Sequence, residues 1–497
     1  MKQTGYRQLK KMRLHFMGIG GQGISAVAQM ALQAGATVSG CDQASSATTK
    51  ALAKLGIPIE IGHSPEHLEH ADALVYVPAA VALNPNNPEL LAARAKGLVV
   101  MTWQEMFGQW LEGYCLLSVS GVHGKGTTTA MLSLALLDAG LDPTCEIGAV
   151  VPRFGANYRI GQSSYFVNEA DEFNNNFWHY HPRLAIVTSL EFEHPEFFAN
   201  YEEYLASFEH FVRGMDVFGD WPLPPTLILN AGSPGCLELR ERIADWPGRV
   251  LTYAVEEAGN EIEADYIACK LELAGKTNFK VRSREAGNTL EGREINLRLP
   301  GAHNIENALA ALVAATQAGV DPEIAIKAVE EFGGTRRRFE MRNEGPLRIG
   351  GVSRDVLLVD DYAHHPTAIE RTLSAARQRY PGRRVVAVYQ PHMFSRTKTF
   401  FEQFLSAFDA ADEVIIVDIY PGRERDTGLV HARDLVVALQ QQPFARAGVP
   451  VKHGGSVRET AQILRETLRD GDLAIIMGAG DVYQATEELL AESQQDC

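Results

Sequence analysis

Two glycine-rich stretches in this chain contain the residue types that bind phosphate groups. Residues 18–23 read GIGGQG and contain a G-x-G-x-x-G pattern, and residues 120–132 read SGVHGKGTTTAML and place a lysine among glycines. Glycines let backbone N–H groups approach phosphate oxygens, and a lysine in such a loop can reach the terminal phosphates. The sequence therefore raises the question of why one chain carries two phosphate-binding loops.

The second stretch, the lysine loop, departs from the full G-x-x-x-x-G-K-[ST] pattern because Val119 occupies its first glycine position and Gly126 follows Lys125. An apolar strand before it and a helix after it still favour ATP binding. A plain glycine-rich turn is the alternative, although a lysine would then have little structural use. The predicted ATP-binding residues of this loop are Gly121, Val122, His123, Gly124, Lys125, Gly126, Thr127 and Thr128.

The first glycine loop fits a nucleotide diphosphate. Asp42 ends the next strand, 19 residues after Gly23, where a carboxylate commonly contacts a ribose hydroxyl. NAD and a UDP-sugar both present such a diphosphate and ribose, and glycines with a purely structural role are a further alternative. The predicted ligand-binding residues here are Gly18, Ile19, Gly20, Gly21, Gln22, Gly23 and Asp42.

The elements around these loops alternate between apolar strands and helices, which predicts parallel sheets covered by helices. Helices are predicted over residues 24–33, 127–139 and 304–319, and a small antiparallel segment over residues 260–299. Breaks in the pattern divide the chain into predicted domains 1–113, 114–334 and 335–497.

Composition limits the classes of function. The chain has 497 residues, 22% of them charged, and a net charge of −16, which disfavours general nucleic-acid binding. We read no signal peptide and no apolar run long enough to span a bilayer, so a cytoplasmic location without membrane insertion is expected. The six scattered cysteines form no C-x-x-C pair, which predicts free thiols and neither disulfides nor a zinc site.

Several further motifs, in order along nearly the whole chain, resemble those of the Mur ligases. They are GVHGKGTTT, EADEFNNNF, PGAHNIENALAA, RRRFE, DDYAHHPTAIERTL, VYQPHMFSRT and GAGDVY. The resemblance implies a three-domain α/β architecture with a Rossmann-like N-terminal domain, a P-loop central domain and a Rossmann-like C-terminal domain. It also implies an ATP-dependent ligase in which the first loop binds a UDP-sugar and the lysine loop binds ATP, which accounts for two phosphate-binding loops.

The resemblance assigns roles to single residues. It implies that Glu169 and His194 bind Mg²⁺ or Mn²⁺, and the lysine loop is expected to add the hydroxyl of Thr127 or Thr128. Asp171 and Glu172 are either further ligands or a solvated acidic loop. Catalytic roles fall on Lys125, Glu169, His194 and Arg338. Nucleotide contacts beyond the loop fall on His303, Asn304, Asn307, Arg338 and Asp361.

Some of these residues also have structural interpretations. Asn304 could be a helix N-cap, Arg336 and Arg337 could be a solvated linker, and Asp360 is expected to end a strand. No carbamylated lysine can be located from the sequence.

The resemblance also bears on the acceptor. It implies that UDP-N-acetylmuramate is joined to L-alanine, with His364, His365, His392 and Arg396 near the amino acid. Met393 stands where many relatives carry a second basic residue, and LEFEHPEFF (residues 190–198) resembles a sister ligase that uses a murein tripeptide. The tripeptide therefore remains an alternative acceptor, and the oligomeric state stays open.

Two other classes of protein remain as alternatives. An NAD-dependent oxidoreductase would explain the first loop but would leave the lysine loop without a role. A non-catalytic binding protein on the same scaffold should lack Lys125, Glu169 or His194, and all three are present.

Overall fold

The structure, a computed structural model, describes residues 11–256, 262–284, 288–422 and 424–495. Its strands form three separate sheets of five, ten and seven strands, which follow one another along the chain. Among the described residues, no helix is both long and apolar enough to cross a membrane.

The first sheet is parallel and has the order β3-β2-β1-β4-β5. The chain adds strands on one side of β1 with β2 and β3 and on the other side with β4 and β5, so the strand order reverses between β1 and β4. In such sheets, ligands bind in the crevice outside the carboxyl ends of the strands where the order reverses. The strands are β1 Arg13–Met17, β2 Thr37–Asp42, β3 Ile59–Ile61, β4 Ala73–Tyr76 and β5 Val99–Thr102. The helices are Gln22–Gln33, Ala47–Lys54, Pro78–Leu83, Pro88–Ala95 and Trp103–Leu111, with a 3₁₀ turn at Pro65–Leu68.

The second sheet has the order β15-β14-β13-β12-β11-β10-β6-β9-β7-β8. Its strands are β6 Cys115–Ser120, β7 Thr144–Val151, β8 Ala156–Arg159, β9 Tyr165–Glu169, β10 Leu184–Val187, β11 Thr226–Asn230, β12 Arg249–Val255, β13 Tyr266–Glu272, β14 Thr277–Ser283 and β15 Glu294–Leu297. Strands β13, β14 and β15 pair antiparallel, as predicted for the described part of residues 260–299.

Helices cover the second sheet. They are Lys125–Asp138, Tyr201–Arg213, Pro234–Arg242, Ala302–Gln317 and Pro322–Glu331, with a 3₁₀ segment at Phe173–His179. The helix Lys125–Asp138 packs against Ala302–Gln317 and Pro322–Glu331 as well as the sheet, so it is buried on nearly every face. This packing fixes the start of the helix, where the lysine loop ends.

The third sheet has the order β16-β18-β22-β19-β20-β21, and β17 pairs with β18. Its strands are β16 Glu340–Asn343, β17 Pro346–Ile349, β18 Val352–Asp361, β19 Arg384–Tyr389, β20 Glu413–Val417, β21 Val451–Gly455 and β22 Asp472–Met477. The helices are Pro366–Arg379, Phe394–Thr399, Phe401–Phe404, Ala432–Leu439, Pro443–Arg446, Val457–Thr467 and Tyr483–Gln495.

The predicted three-domain α/β fold is confirmed. The domain boundaries after residues 113 and 334 fall between the three sheets and remain predictions. Three helices begin two residues earlier than predicted, at Gln22, Lys125 and Ala302. A glycine precedes each of them; φ is positive at Gly124 (80°) and Gly301 (93°) but −65° at Gly21.

Candidate active site

The lysine loop connects β6 to the helix that begins at Lys125. Gly124 is the helix N-cap and has φ 80°, a left-handed conformation that glycine adopts without strain. A Cβ at Gly124 would lie 2.1 Å from Oδ1 of Asn307, so the side chain of the neighbouring helix packs directly on the loop. The first N–H groups of the helix have no partner within it, which suits this end to bind an anion.

Lys125 is held in place by a buried carboxylate. Its Nζ lies 2.9 and 3.0 Å from the two carboxylate oxygens of Glu172 and donates to the carbonyl of Gly121 at 2.6 Å. Burial lowers the pKa of Lys125, but Glu172, Asp171 and Glu169 outweigh this and keep the pKa above its ordinary value. The lysine is therefore charged where the loop would receive phosphate.

Asp171, Glu172 and His194 form a group beside the lysine loop that could hold a divalent cation. One ligand atom from each lies within 4.8 Å of the others, and Nε2 of His194 is 3.7 Å from Glu172. Of the sequence-predicted metal ligands, His194 belongs to this group, whereas Glu169 is outside it; Glu169 and Thr127 both line the same cavity. Of the two interpretations of Asp171 and Glu172, the geometry favours ligands over a solvated acidic loop, since Glu172 is fully buried.

Glu169 lies at the end of β9, where its carboxylate accepts a hydrogen bond from the N–H of Gly148 at 2.8 Å. A Cβ at Gly148 would be 2.7 Å from this carboxylate, so any larger residue there would displace the Glu169 side chain. Glu169 thus faces the cavity from a fixed position beside the lysine loop.

Glu146 on β7 is a cavity residue that the sequence reasoning missed. Burial raises the pKa of Glu146 well above its ordinary range, and the charges of Glu169 and Asp171 raise it further. The side chain is therefore a neutral carboxylic acid beside charged ones. A lone glutamate within the apolar strand Thr144–Val151 was the available signal.

Three predicted nucleotide contacts lie on the helix Ala302–Gln317. Asn304 is the third residue of this helix and donates to the carbonyl of Pro300 at 2.7 Å, so the N-cap interpretation was wrong, and Gly301 is the cap. Asn307 connects the helix to the lysine-loop helix, since Oγ1 of Thr128 lies 3.3 Å from its Oδ1. Burial lowers the pKa of the neighbouring His303 to about 3, which keeps this imidazole neutral.

The C-terminal domain brings Arg338 and Asp361 to the same cavity. Both oxygens of Asp361 accept backbone hydrogen bonds, from Phe339 and from Ala363, each at 2.7 Å. Burial raises the pKa of Asp361, while the charge of Arg338 opposes this. The Arg338 guanidinium lies 4.9 Å from the ring centroid of Tyr362.

Arg337 is not a solvated linker residue as proposed from sequence. Its guanidinium donates to the carbonyls of Gly478 and Gly480, at 2.6 and 3.0 Å, and lies 4.7 Å from the ring centroid of Tyr483. Arg336 also lines the cavity, and its N–H donates to the carbonyl of Val150 in the central domain at 3.0 Å. Asp360 lies at the end of β18 as expected.

The predicted acceptor residues meet at the boundary with the central domain. Arg396 is 3% exposed and pairs with Glu193, which follows β10 of the central domain. His365 is the N-cap of the helix Pro366–Arg379, and burial lowers its pKa to about 4. Burial also lowers the pKa of His364 well below its ordinary value. The ring of His392 stacks on the ring of Tyr420.

Glu191 and Glu193 connect the two domains, a role that the sequence reasoning did not assign. Glu191 bonds to His123 of the lysine loop and accepts from Oγ1 of Thr367 at 3.2 Å. Glu193 pairs with Arg396, whose charge holds the pKa of this carboxyl far below its usual range despite burial. The segment after β10 therefore connects the lysine loop to the predicted acceptor residues.

The first glycine loop faces the same cavity. Its Gly20 N–H donates to Asp42 at 2.8 Å, so this carboxylate supports the loop itself. Gly23 lies against Trp103, whose ring is 2.8 Å from where a Cβ would be. The cavity measures about 1030 Å³, near the upper end of the roughly 300–1,000 Å³ typical of ligand sites, and all three domains line it.

A cavity that faces two phosphate-type loops and a cluster of carboxylates is suited to phosphoryl transfer, which makes the protein a nucleotide-dependent α/β enzyme by class. Comparison with known proteins narrows this class. Family models match residues 13–114 (Mur ligase family, catalytic domain), 119–315 (Mur ligase middle domain) and 337–480 (Mur ligase, glutamate ligase domain). The chain belongs to the Mur ligase family of ATP-dependent ligases.

Individual relatives are similar over nearly their whole length. The UDP-N-acetylmuramate–L-alanine ligase of Agathobacter rectalis is 35% identical, over 97% of this chain and 98% of the relative. The crystal structure of the UDP-N-acetylmuramate–alanine ligase of Thermotoga maritima matches with TM-score 0.78 and 25% identity, over 98% of this chain and 100% of that one. A murein peptide ligase from Psychrobacter arcticus matches with TM-score 0.67 and 25% identity, over 97% and 98%.

Proposed function

We propose that this protein joins L-alanine to UDP-N-acetylmuramate with the hydrolysis of ATP to ADP and phosphate, a step in building the peptidoglycan precursor. The observation that carries the proposal is the single cavity in which the first glycine loop, the lysine loop and Arg396 all have side chains or backbone groups. An enzyme with these three substrates needs all of these features in one place. The full-length relatives with this activity support the choice.

The proposed reaction has two steps. The carboxylate of UDP-N-acetylmuramate attacks the γ-phosphorus of ATP, which forms an acyl phosphate and releases ADP. The amine of L-alanine then attacks the acyl carbon, and phosphate leaves as the amide bond forms. Both steps gather negative charge, so the site must supply cations and N–H donors near the reacting atoms.

The residues of this chain divide that work. Lys125 is placed to leave Glu172 and contact the terminal phosphates, and the backbone of residues 121–124 surrounds them. Asp171, Glu172 and His194 would hold Mg²⁺ or Mn²⁺, with Glu169 and Thr127 facing the same space. When bound, the ion would neutralise phosphate charge.

The nucleotide and the acceptor would contact other residues. His303, Asn304, Asn307, Arg338 and Asp361 are the proposed nucleotide contacts. Arg396 would exchange Glu193 for the amino-acid carboxylate, near His364, His365 and His392. ATP and a UDP-sugar as substrates support a cytoplasmic location.

A murein tripeptide is the second candidate acceptor. The specific observation in its favour is the 25% identity to a murein peptide ligase, equal to that of the alanine ligase of known structure. The higher TM-score of the alanine ligase favours alanine.

The test is an assay of ADP and phosphate release in the presence of UDP-N-acetylmuramate. It compares L-alanine, glycine, L-serine and the tripeptide as acceptors at equal concentrations. We expect L-alanine to give the highest kcat/KM. A higher value for the tripeptide would replace the proposal with the second candidate. Thermal stabilisation by NAD without stabilisation by the UDP-sugar would favour an oxidoreductase instead.

A further inference from the structure

The N-terminal domain contains a second cluster of metal-type side chains, far along the chain from the lysine loop. His15 lies on β1, Cys41 on β2, His67 in the 3₁₀ turn Pro65–Leu68, and Glu89 at the start of the helix Pro88–Ala95. His15, Cys41 and Glu89 are each at most 1% exposed. The cluster lies between one face of the first sheet and the segments that cover it.

The four side chains converge on one point. Oε1 of Glu89 is 2.6 Å from Nδ1 of His67 and 3.2 Å from Nε2 of His15, and Oε2 is 3.0 Å from Sγ of Cys41. All four ligand atoms lie within 4.8 Å of one another. A third imidazole, that of His63, has Nδ1 3.0 Å from Oε2 of Glu89.

We propose that His15, Cys41, His67 and Glu89 bind a zinc ion or a similar late transition metal. Imidazole nitrogen, thiolate sulfur and carboxylate oxygen are the ligands that zinc takes in proteins. Bond lengths of about 2.0–2.3 Å around a tetrahedral ion separate the ligand atoms by roughly 3.3–3.8 Å. The three separations given above, 2.6, 3.0 and 3.2 Å, are shorter than that range, so these ligand atoms would move apart by less than an ångström to admit the ion.

A hydrogen-bonded network around Glu89 is the simpler interpretation, and one atom argues against it. Nε2 of His15 is buried and, although 3.2 Å from Glu89, has no hydrogen-bond partner of acceptable geometry among the described residues. A metal would satisfy this nitrogen. The other ring nitrogen, Nδ1, is 2.9 Å from Oγ of Ser39, the kind of second contact that orients metal-binding histidines.

The scattered cysteines predict free thiols and no zinc site, and the five described cysteines are free. The proposed ligands come from four separate elements, so no local spacing pattern indicates them. The site also touches the first glycine loop, because the carbonyl of Cys41 accepts hydrogen bonds from the N–H groups of Gly18 and Ile19, at 2.9 and 3.1 Å. A metal on Cys41 would therefore stabilise the base of that loop. On binding, the Cys41 thiol would lose its proton to solvent.

The test is a titration of metal-free full-length protein with Co²⁺ in excess Mg²⁺, which keeps the carboxylates of the main cavity occupied. We expect one equivalent to produce a thiolate-to-cobalt charge-transfer band and the visible bands of a tetrahedral site. Zinc should displace the cobalt stoichiometrically and raise Tm. A wild-type protein that shows no charge-transfer band and holds no stoichiometric zinc would overturn the proposal.

Variants assign the signal to this cluster. Cys41→Ser should abolish the charge-transfer band, and His67→Gln should weaken zinc binding at least ~100-fold, beyond the usual effect of outer contacts. His70→Ala is the matched control, because His70 is exposed only three residues from His67, and it should bind as the wild type does. If Cys41→Ser does not fold, the His67→Gln variant tests the site instead, because the His67 ring is partly exposed and its replacement disturbs the core less. Unchanged zinc binding in a folded His67→Gln variant would refute the site.

Discussion

The buried pair of Arg396 and Glu193 gives the sharpest test of the proposed acceptor site. Two roles are possible for Arg396: it holds the C-terminal domain against the central domain, or it binds the carboxylate of the amino acid. In the first role, the ion pair with Glu193 is itself the functional contact of Arg396. In the second role Glu193 keeps the guanidinium in place until the substrate displaces it.

The structure sets the size of the effect. Both side chains are about 5% exposed or less, so water cannot replace a lost contact. Removing one partner of a buried, hydrogen-bonded charge pair costs about 2–5 kcal/mol. At about 1.4 kcal/mol per tenfold change, Arg396→Ala should raise the KM for L-alanine at least ~30-fold. The KM for ATP should change little, because the nucleotide residues lie on other elements.

Steady-state kinetics of two variants separate the two roles. Glu193→Gln removes the competing charge, so an acceptor-binding Arg396 predicts an unchanged or lower KM for L-alanine. A purely interdomain pair predicts that Glu193→Gln and Arg396→Ala impair all substrates alike. Arg396→Lys should recover only part of the loss, since lysine lacks the planar fork of donors.

Lys398→Ala, an exposed change on the same helix, is the matched control and should behave as the wild type does. An unchanged KM for L-alanine in a folded Arg396→Ala variant would refute the assignment.

Three other predictions concern the main cavity. Lys125→Ala should abolish ADP formation but leave UDP-sugar binding measurable by calorimetry, because the two loops lie in different domains; equal loss of both would contradict the loop assignment. Glu146→Gln should keep kcat within about twofold, since the acid is already neutral, whereas Glu169→Gln should lose activity; a large loss in Glu146→Gln would mean that its charge is used. Chelation of divalent cations should weaken ATP binding at least ~10-fold, and equal affinity with and without Mg²⁺ would contradict this.

Much of the fold could be predicted from local patterns. The glycine loops marked the start of two βα units, and apolar strands such as β19 and β22 were readable because both faces are buried. Helix starts were less accurate. The helices at Gln22, Lys125 and Ala302 each begin two residues earlier than predicted, directly after a glycine, and the sequence alone does not show which residue of a glycine-rich loop is the helix N-cap.

Long-range partners could not be predicted in the same way. Arg396 and Glu193 are 203 residues apart in the sequence, and nothing local in either segment indicates the other. The partner of Lys125, Glu172, is 47 residues away and was one of two acidic neighbours with open roles. The roles of such residues are set by how the domains pack, which a motif does not contain.

The charge balance of the cavity explains why ATP should bind with a metal ion. Glu172 and Glu193 are neutralised by a lysine and an arginine. Glu169 and Asp171 accept only N–H hydrogen bonds among the described residues, at 2.8 Å and at 3.2–3.3 Å, and no cationic side chain pairs with either of them. Two such carboxylates repel the phosphates of free ATP, and a divalent cation between them and the nucleotide reverses the sign of that interaction. We therefore expect the acidic cluster to bind the metal complex of ATP in preference to the free nucleotide, while the same carboxylates keep Lys125 charged.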